Sequence, residues 1–323
     1  MPALAVRFRD RLPLGDRTPL VSLGEGGTPL VHAPRLSERL GLDLWLKVEG
    51  ANPTGSFKDR GMAIAVARAL EAGARTVICA STGNTGASAA AYAARAGLRA
   101  VVLVPAGGVP AGKLFQAAAA GARLLEIRGS FDQALDAARV LANDGEFALV
   151  NSVNPDRLEG QKTAAFEIVE ELGVPDVLAL PYGGGGNTCA YARGFEESGE
   201  GMPRLLAGEA SDRAGTAASA IRIARPAHAV EAAAAIERSG GAVVSLADDE
   251  IQSAWRLLAE SEGIVAELSS AAGLAALARE AGGSGVRAVC VLTGHGLKDT
   301  STSPGVATVD VEPDPAAIAR AAL

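Results

Sequence analysis

Short apolar runs alternate with longer alanine-rich segments of helical period from about residue 44 onward. The junctions between these two kinds of segment are rich in glycine, serine, threonine and asparagine. Such an alternation is typical of βαβ units built around a largely parallel sheet. The sequence therefore predicts an α/β protein with mostly parallel sheets.

The predicted elements are too numerous for one sheet, which indicates two α/β domains. We expect a larger domain made of residues 1–50 and 145–323 and a smaller domain of residues 51–144. The predicted strands lie at 44–48, 76–80, 100–104, 123–127, 147–150, 177–180, 205–208, 242–245 and 288–292. The predicted helices lie at 58–72, 87–96, 131–142, 158–172, 188–197, 248–260 and 270–281.

The 323 residues include 30 basic and 37 acidic side chains, giving a net charge of −7. This balance disfavours a nucleic acid or an anionic membrane as the main partner. The three cysteines are widely spaced and form no CxxC pair, which suits a reducing cytoplasm and predicts no metal site. The N-terminus resembles neither a signal peptide nor an anchor, and no apolar run approaches the roughly 20 residues of a membrane span.

Lysine is rare, because 25 of the 30 basic residues are arginine. Lys58, in the segment NPTGSFKDRG at 52–61, stands at the start of a predicted helix, where the helix dipole disfavours a cation. Burial near other positive charge would lower its pKa and produce the neutral amine of Schiff-base chemistry, which arginine cannot supply. The alternative is a solvated lysine paired with Asp59.

Two further junctions predict anion sites. Residues 81–88, STGNTGAS, follow a predicted strand and open a helix, so that their backbone N–H groups suit a carboxylate. Residues 183–188, GGGGNT, can form a nest of N–H groups directed, with the helix dipole, at a phosphate. They match neither the Walker pattern nor the dinucleotide fingerprint. A structural glycine loop and a nicotinamide site are the alternatives.

The fourth junction, TGHGLKD at 293–299, follows the last predicted strand. The hydroxyl of Thr293 can hydrogen-bond a ring nitrogen without carrying charge, whereas His295 suits a structural turn as well as a functional role. One ligand accounts for all four junctions. Pyridoxal phosphate needs a lysine for its aldehyde, a phosphate cup, a hydrogen bond to its ring oxygen and a partner for its ring nitrogen.

The chain resembles the threonine synthases, within the tryptophan-synthase-β type of pyridoxal-phosphate enzymes. The matching runs, in chain order, are GEGGTPL at 24–30, EGANPTGSFKDRGM at 49–62, STGNTGAS at 81–88, NSVNPDRLEGQKT at 151–163 and TGHGLKD at 293–299. The resemblance implies the fold type II architecture of three αβα layers, pyridoxal 5'-phosphate as cofactor and a homodimer.

The resemblance also implies a role for individual residues. Lys58 would be the Schiff-base lysine and the general base, Asn84 would bond the ring oxygen, and Thr293 would bond the pyridine nitrogen. The implied cofactor phosphate loop consists of Gly183, Gly184, Gly185, Gly186 and Asn187. The implied substrate-binding residues are Ser81, Thr82, Thr85, Asn151, Ser152, Asn154 and Arg157.

The segment NSVNPDR at 151–157 offers amides, a hydroxyl and a guanidinium, a set suited to a second phosphate. The resemblance assigns this segment, with Thr85, to the phosphate of a phosphorylated amino acid, O-phosphohomoserine. The implied reaction is γ-elimination of that phosphate followed by β-addition of water to give threonine. An Asn-Pro turn with a surface arginine is the alternative.

Two departures from the family pattern affect the expected substrate. The phosphate loop has the sequence GGGGN rather than GNAGN, which is closer to the dehydratase relatives, and residues 265–272 are VAELSSAA, with Glu267 kept and Leu268 in place of a proline. The alternatives are therefore a serine or threonine dehydratase, β-replacement on O-phosphoserine, and a non-catalytic homologue that binds the cofactor.

Overall fold

The computed structural model describes residues 3–106, 111–143, 145–280, 283, 285–299 and 308–322. Two β-sheets and the helices around them form within these residues. The strands are β1 (Leu30–His32), β2 (Asp43–Val48), β3 (Thr76–Ala80), β4 (Arg99–Pro105), β5 (Arg123–Ile127), β6 (Phe147–Leu149), β7 (Val177–Pro181), β8 (Arg204–Ala210), β9 (Ala242–Leu246) and β10 (Arg287–Leu292). The helices are α1 (Leu4–Arg7), α2 (Pro34–Leu40), α3 (Lys58–Glu71), α4 (Asn84–Ala96), α5 (Ala111–Ala119), α6 (Phe131–Asn143), α7 (Pro155–Leu172), α8 (Gly186–Ser198), α9 (Ala229–Arg238), α10 (Asp248–Glu262), α11 (Ala272–Glu280) and α12 (Pro315–Ala322).

The larger sheet has the strand order β1-β2-β10-β7-β8-β9, and the smaller sheet has the order β5-β4-β3-β6. Neighbouring strands are parallel throughout, apart from β1, which is antiparallel to β2. Central strands of a parallel sheet are covered by helices on both faces, so their side chains are apolar without alternation. Accordingly, every residue of β3 and of β7 is buried. The predicted fold class, α/β with mostly parallel sheets, is confirmed.

All nine predicted strands occur, with ends within two residues of the predicted ones. Sequence analysis misses β1, a three-residue edge strand whose side chains are half-buried or exposed and therefore show no apolar run. The predicted helix at 270–281 is a 3₁₀ turn (Leu268–Ala271) followed by α11, and residue 281 lies outside the described residues. Of the helices in the described part of the chain, none combines the length and apolar character that crossing a membrane needs.

The predicted division into two domains remains a prediction. Its second boundary, at Asp144, falls on a residue outside the described ranges. The strand that follows, β6, pairs with β3 and therefore belongs to the smaller sheet. We accordingly propose that the smaller domain includes β6 and that the chain returns to the larger domain with α7.

A buried ion network joins β2, α3 and α7. The guanidinium of Arg60 is fully buried and bonds both carboxylate oxygens of Glu49, at 2.7 and 2.8 Å, and both of Glu167, at 2.7 and 2.6 Å. Lys47 is also fully buried, and its Nζ lies 2.8 Å from Glu167 and donates to the carbonyl of Thr28 at 2.8 Å. Two cations are thus matched by two carboxylates, the arrangement that makes buried charge tolerable.

Helices α3 and α7 approach each other closely where each carries a glycine. A Cβ on Gly61 of α3 would collide with the carbonyl of Arg157, and one on Gly160 of α7 would collide with the carbonyl of Arg60. The close packing of these helices thus depends on the absence of side chains at both positions. It also brings the first turns of the two helices together.

Three further lysines have structural partners. Lys162 lies between Glu159, at 2.5 Å, and Glu197, at 2.7 Å. Lys113 and Lys298 connect α5 and the loop after β10: Lys113 bonds Ser219 and Asp299, and Lys298 bonds Gln116 and the carbonyl of Thr54. A flexible stem with three rotatable donors suits such convergent acceptors better than a planar guanidinium does.

We expect Glu167→Gln to lower the free energy of unfolding by about 3 to 5 kcal/mol, because it leaves the charges of Arg60 and Lys47 under-compensated inside the protein. Urea denaturation followed by tryptophan fluorescence measures the change. The matched control is Glu170→Gln, one turn further along α7, where an exposed carboxylate pairs with Arg7. The control should cost less than about 1 kcal/mol. Equal losses in the two variants would contradict the importance of the network.

Candidate active site

Every candidate site segment follows the carboxyl end of a parallel strand. Lys58 follows β2, residues 81–85 follow β3, residues 151–157 follow β6, residues 183–187 follow β7, and Thr293 follows β10. Ligands of open α/β sheets bind at this edge. Contacts between these segments include a β-bridge from Ser56 to Gly294 and a hydrogen bond of 3.0 Å from the Phe57 N–H to the Thr293 carbonyl.

Lys58 is the first residue of α3 and is half-buried. Burial of its amine, together with the nearby guanidinium of Arg157, lowers its pKa from 10.5 to about 7, although Glu267 acts in the opposite direction. Asp59 is not its partner: the Asp59 carboxylate accepts hydrogen bonds of 2.6 Å from the Thr54 N–H, the Thr54 hydroxyl and the Ser88 hydroxyl. The solvated ion pair considered from the sequence is therefore wrong, and the amine is poised to be neutral near pH 7.

The glycine loop between β7 and α8 is tightly enclosed. Gly185 has a φ of +81°, and a Cβ there would lie 3.0 Å from the carbonyl oxygen of His228. At the start of α8, the buried Nδ2 of Asn187 and Oγ1 of Thr188 have no hydrogen-bond partner among the described residues. A phosphate at this helix N-terminus would satisfy both groups, so the loop fits the phosphate of the expected cofactor.

Asn84 and Thr293, the candidate ring partners, are both held by neighbouring side chains. The Nδ2 of Asn84 donates to Oε2 of Glu267 at 2.8 Å. The hydroxyl of Thr293 lies 2.9 Å from that of Ser270, which also accepts a bond of 3.0 Å from the Gly294 N–H. The hydroxyl of Thr293 therefore has an uncharged partner, the hydroxyl of Ser270. An uncharged pair of this kind can hydrogen-bond a ring nitrogen without forcing it to be protonated.

The first candidate substrate segment, residues 81–85, forms the turn into α4. The Ser81 hydroxyl accepts bonds from the Gly86 N–H at 2.8 Å and the Gly83 N–H at 3.2 Å, so it caps the helix. Thr82 is exposed and Thr85 is half-buried. The turn thus exposes hydroxyls next to a helix N-terminus, which suits a carboxylate.

Two asparagines of the second candidate substrate segment, residues 151–157, bond the backbone around them. The Asn151 amide bonds both the N–H and the carbonyl of Ala80, at 2.9 and 2.8 Å. The Oδ1 of Asn154 accepts a bond of 2.8 Å from the Asp156 N–H and caps α7, while its Nδ2 donates to the Leu149 carbonyl. These two side chains fix the loop, and their assignment as substrate ligands stays a prediction.

Arg157 is the unusual member of this segment, because its side chain is fully buried rather than on the surface. One nitrogen, Nη1, donates to the Val150 carbonyl at 2.7 Å, whereas Nε and Nη2 have no partner within the described ranges. Burial lowers the pKa of this guanidinium to about 10. A buried cation with two unused donors is costly in the absence of an anion, so its chemistry suits the binding of one.

His228 connects the glycine loop to the second segment. Its N–H donates to the Gly184 carbonyl at 3.0 Å, and its ring nitrogens lie 3.0 Å from the Ser152 carbonyl and 2.7 Å from the Glu231 carboxylate. Cys189 joins this group, since ligand atoms of Cys189, His228 and Glu231 lie within 4.8 Å of one another. Their separation along the chain hides this cluster from sequence analysis.

Four residues near the site received no individual role from the sequence: Thr188, His228, Glu267 and Ser270. Thr188 directly follows the glycine loop, so its position offered a local signal. His228 lies in a segment without a motif, whereas Glu267 and Ser270 lie in residues 265–272, which the sequence marks only as a departure from the family pattern. Only their hydrogen bonds to Asn84, Thr293 and Ser152 identify them.

Comparison with known proteins is consistent with this geometry. A family model described as pyridoxal-phosphate dependent enzyme matches residues 21–294. The chain is 49% identical to a threonine synthase of Halalkalibacterium halodurans, with 96% of this chain and 93% of that protein covered. It is 48% identical to a threonine synthase of Mycobacterium tuberculosis, with 97% and 94% covered. A structure of threonine deaminase isoform 2 from Solanum lycopersicum is similar with a TM-score of 0.71 at 23% identity, over 83% of this chain and 78% of that one, which shows a common fold.

We expect cofactor-free protein to attach pyridoxal phosphate to Lys58 faster as the pH rises to about 7, and then to level off, because only the neutral amine reacts. Brief exposure at each pH, borohydride reduction and peptide mass spectrometry measure the attachment. In Arg157→Met the profile should move to higher pH, because a cation that favours the neutral amine has been removed. A profile still rising steeply above pH 9 in the unaltered protein would contradict the lowered pKa.

Proposed function

The chain belongs to the threonine synthases, a family of pyridoxal-phosphate dependent enzymes, and from this premise we propose that it converts O-phosphohomoserine and water into threonine and inorganic phosphate. The observation that carries the choice of a phosphorylated substrate is Arg157. Its buried guanidinium has two donors without partners among the described residues, near a lysine of lowered pKa. A phosphate group on the substrate would be an anion for these two donors. Serine and threonine, the substrates of a simple dehydratase, have no phosphate.

We propose that the cofactor is held by four groups on the two sheets. Lys58 would bond its aldehyde, Asn84 its ring oxygen and Thr293 its ring nitrogen. The N–H groups of Gly183–Gly186, with Asn187, would bind its phosphate, joined by the hydroxyl of Thr188. When bound, pyridoxal phosphate supplies an aldehyde for the substrate amine and a conjugated ring that withdraws electrons from the substrate carbons.

Lys58 then serves as the proton carrier of the proposed mechanism. Its amine, when it is not bonded to the cofactor, would take the α-proton of the substrate as a general base. A pKa of about 7 keeps a large share of this amine neutral at neutral pH, whereas an ordinary lysine would be almost entirely protonated. The same amine can return protons in the later steps, in which the Cγ–O bond breaks and water adds at the β-carbon.

The two anionic ends of the substrate have different sites in this proposal, which share Thr85. The hydroxyls of Thr82 and Thr85 and the N–H groups of the turn at 81–85, supported by Ser81, would bind the carboxylate. Arg157 would bind the γ-phosphate with Ser152 and the loop that Asn151 and Asn154 hold in place, and Thr85 would reach the same phosphate. A charged, hydrogen-bonded phosphate is also a better leaving group, because the guanidinium stabilises the charge that develops on it.

The second candidate keeps the cofactor and changes the reaction. The GGGGN loop favours a serine or threonine dehydratase, or β-replacement on O-phosphoserine, because it departs from the family's usual GNAGN. A dehydratase needs no anion at Arg157, so the second phosphate site distinguishes the two readings. The remaining alternative is a homologue that binds the cofactor but catalyses no reaction.

We further propose that the enzyme is a cytoplasmic homodimer, as the resemblance implies. The cysteines Cys79, Cys189 and Cys290 are all free thiols. Unpaired cysteines are typical of a reducing compartment. Sedimentation equilibrium of the full chain tests the oligomeric state.

An assay with four substrates tests the reaction. We expect O-phosphohomoserine to release phosphate and form threonine in equal amounts, with kcat/KM at least about a hundredfold above that for O-phosphoserine, threonine or serine. Coupled phosphate detection and amino-acid chromatography measure the two products. Faster formation of 2-oxo acid from threonine or serine would favour the dehydratase. Bound cofactor without any turnover would favour the non-catalytic homologue.

Arg157→Met tests the phosphate site. We expect KM for O-phosphohomoserine to rise by about a hundredfold, because a charge-assisted bond to the phosphate is lost, while affinity for pyridoxal phosphate changes by less than about threefold. Stability should not fall, because the substitution removes a buried charge. The control is Arg193→Met on α8, whose half-exposed guanidinium pairs with Glu159. Similar KM values for both variants and the unaltered enzyme would contradict the assignment.

A further inference from the structure

Glu267 is a buried carboxylate that the proposed mechanism does not use. It lies between α10 and the 3₁₀ turn Leu268–Ala271, and only 7% of its surface is exposed. Its Oε2 accepts a hydrogen bond of 2.8 Å from Nδ2 of Asn84, the first residue of α4. Because α4 follows a strand of the smaller sheet and Glu267 packs beside the larger one, this bond connects the two halves of the site.

The backbone after β10 holds Glu267 in place. The Glu267 N–H donates to the Gly294 carbonyl at 2.9 Å, and Ala266 forms a β-bridge with His295. A Cβ on Gly294 would collide with the Glu267 carboxylate. The glycine at position 294 therefore leaves room for the Glu267 carboxylate beside Thr293. Backbone bonds and close packing together hold Glu267 in this position.

The chemistry of the two side chains restricts how Asn84 can be used. An asparagine amide has a donating and an accepting end, and an ionised carboxylate only accepts. The bond to Glu267 therefore selects the orientation with the amide nitrogen towards the carboxylate. It uses one of the two N–H groups of that nitrogen and leaves the other for an acceptor such as a ring oxygen.

We propose that Glu267 is a positioning residue, which orients the Asn84 amide so that its second N–H is available to the ring oxygen of the cofactor. The inference rests on the role proposed above for Asn84. Glu267 itself would touch neither substrate nor reacting atoms. It would act through Asn84 and, as a nearby negative charge, on Lys58.

The charges around Glu267 are consistent with this role. Burial raises its pKa, whereas the Asn84 bond and the cations Lys298 and Lys113 lower it and Asp299 raises it. Glu267 in turn raises the pKa of Lys58, against the effects of burial and Arg157. The carboxylate thus moderates how far the amine's pKa is lowered.

A double-mutant cycle on the binding of pyridoxal phosphate tests the proposal. Glu267→Leu and Asn84→Ala should each weaken cofactor affinity by about tenfold and shift the absorbance band of the bound cofactor. If Glu267 acts through Asn84, the double variant should be no weaker than the weaker single variant. Additive losses, about a hundredfold in the double variant, would overturn the proposal. Glu260→Leu, an exposed position on α10, is the matched control and should leave affinity unchanged.

Glu267→Gln separates orientation from charge and serves also if the leucine variant fails to fold. Its amide oxygen can still accept the Asn84 bond, so affinity should stay within about twofold and the band should not shift. The pH profile of Lys58 attachment should move to lower pH, because a negative charge near the amine is lost. A tenfold loss of affinity in Glu267→Gln would overturn the orienting role.

These measurements use no amino-acid substrate. If the unaltered protein binds the cofactor but does not convert O-phosphohomoserine, the proposed function fails while the cycle can still support or overturn the role of Glu267.

Discussion

The ion network around Arg60 is the interaction on which the site depends. Arg60 lies two residues after Lys58, Glu49 directly follows β2, and Glu167 belongs to the helix that begins beside Arg157. The bidentate bonds from Arg60 to Glu49 and Glu167 therefore fix the positions of α3 and α7 against the larger sheet. The amine and the guanidinium of the proposed site stand on the first turns of these two helices. Four buried charges that take no part in the proposed chemistry thus help to set where the reactive groups lie.

The net charge of −7 does not oppose an enzyme for anionic ligands, because each proposed anion site is built from local groups. The loop at 183–187 offers backbone N–H groups at a helix start, and the turn at 81–85 offers hydroxyls beside another helix start. Arg157 offers two donors that no described residue uses. Partial charges at helix ends and one buried cation act over short distances, whereas surface charges are screened by solvent and salt. The total charge therefore says little about what the cleft binds.

Features that depend on neighbouring residues could be predicted from the sequence. The nine predicted strands and the segments that follow them were predictable, because an apolar run and a glycine-rich turn are properties of neighbouring residues. The strand β1 and the helices α1, α2, α5, α9 and α12 were not, because each has ten residues or fewer and so gives little periodic signal. Among the site residues, Glu267 and His228 were missed because their roles consist of contacts to residues many positions away. For the same reason the sequence could not show that the Asn151 amide bonds the backbone of Ala80.

The glycines at which α3 and α7 touch, Gly61 and Gly160, affect the pKa of Lys58 through the spacing of the two helices. Because Gly61 and Gly160 leave no gap for even a methyl group, the spacing of the two helices is set by backbone contact. That spacing also sets how far the guanidinium of Arg157 stands from the amine of Lys58, and electrostatic repulsion depends on this separation. A single methyl group at either glycine would therefore change the basicity of the lysine without touching it. A substitution at either position is then expected to affect the reactivity of the lysine as well as the stability of the fold.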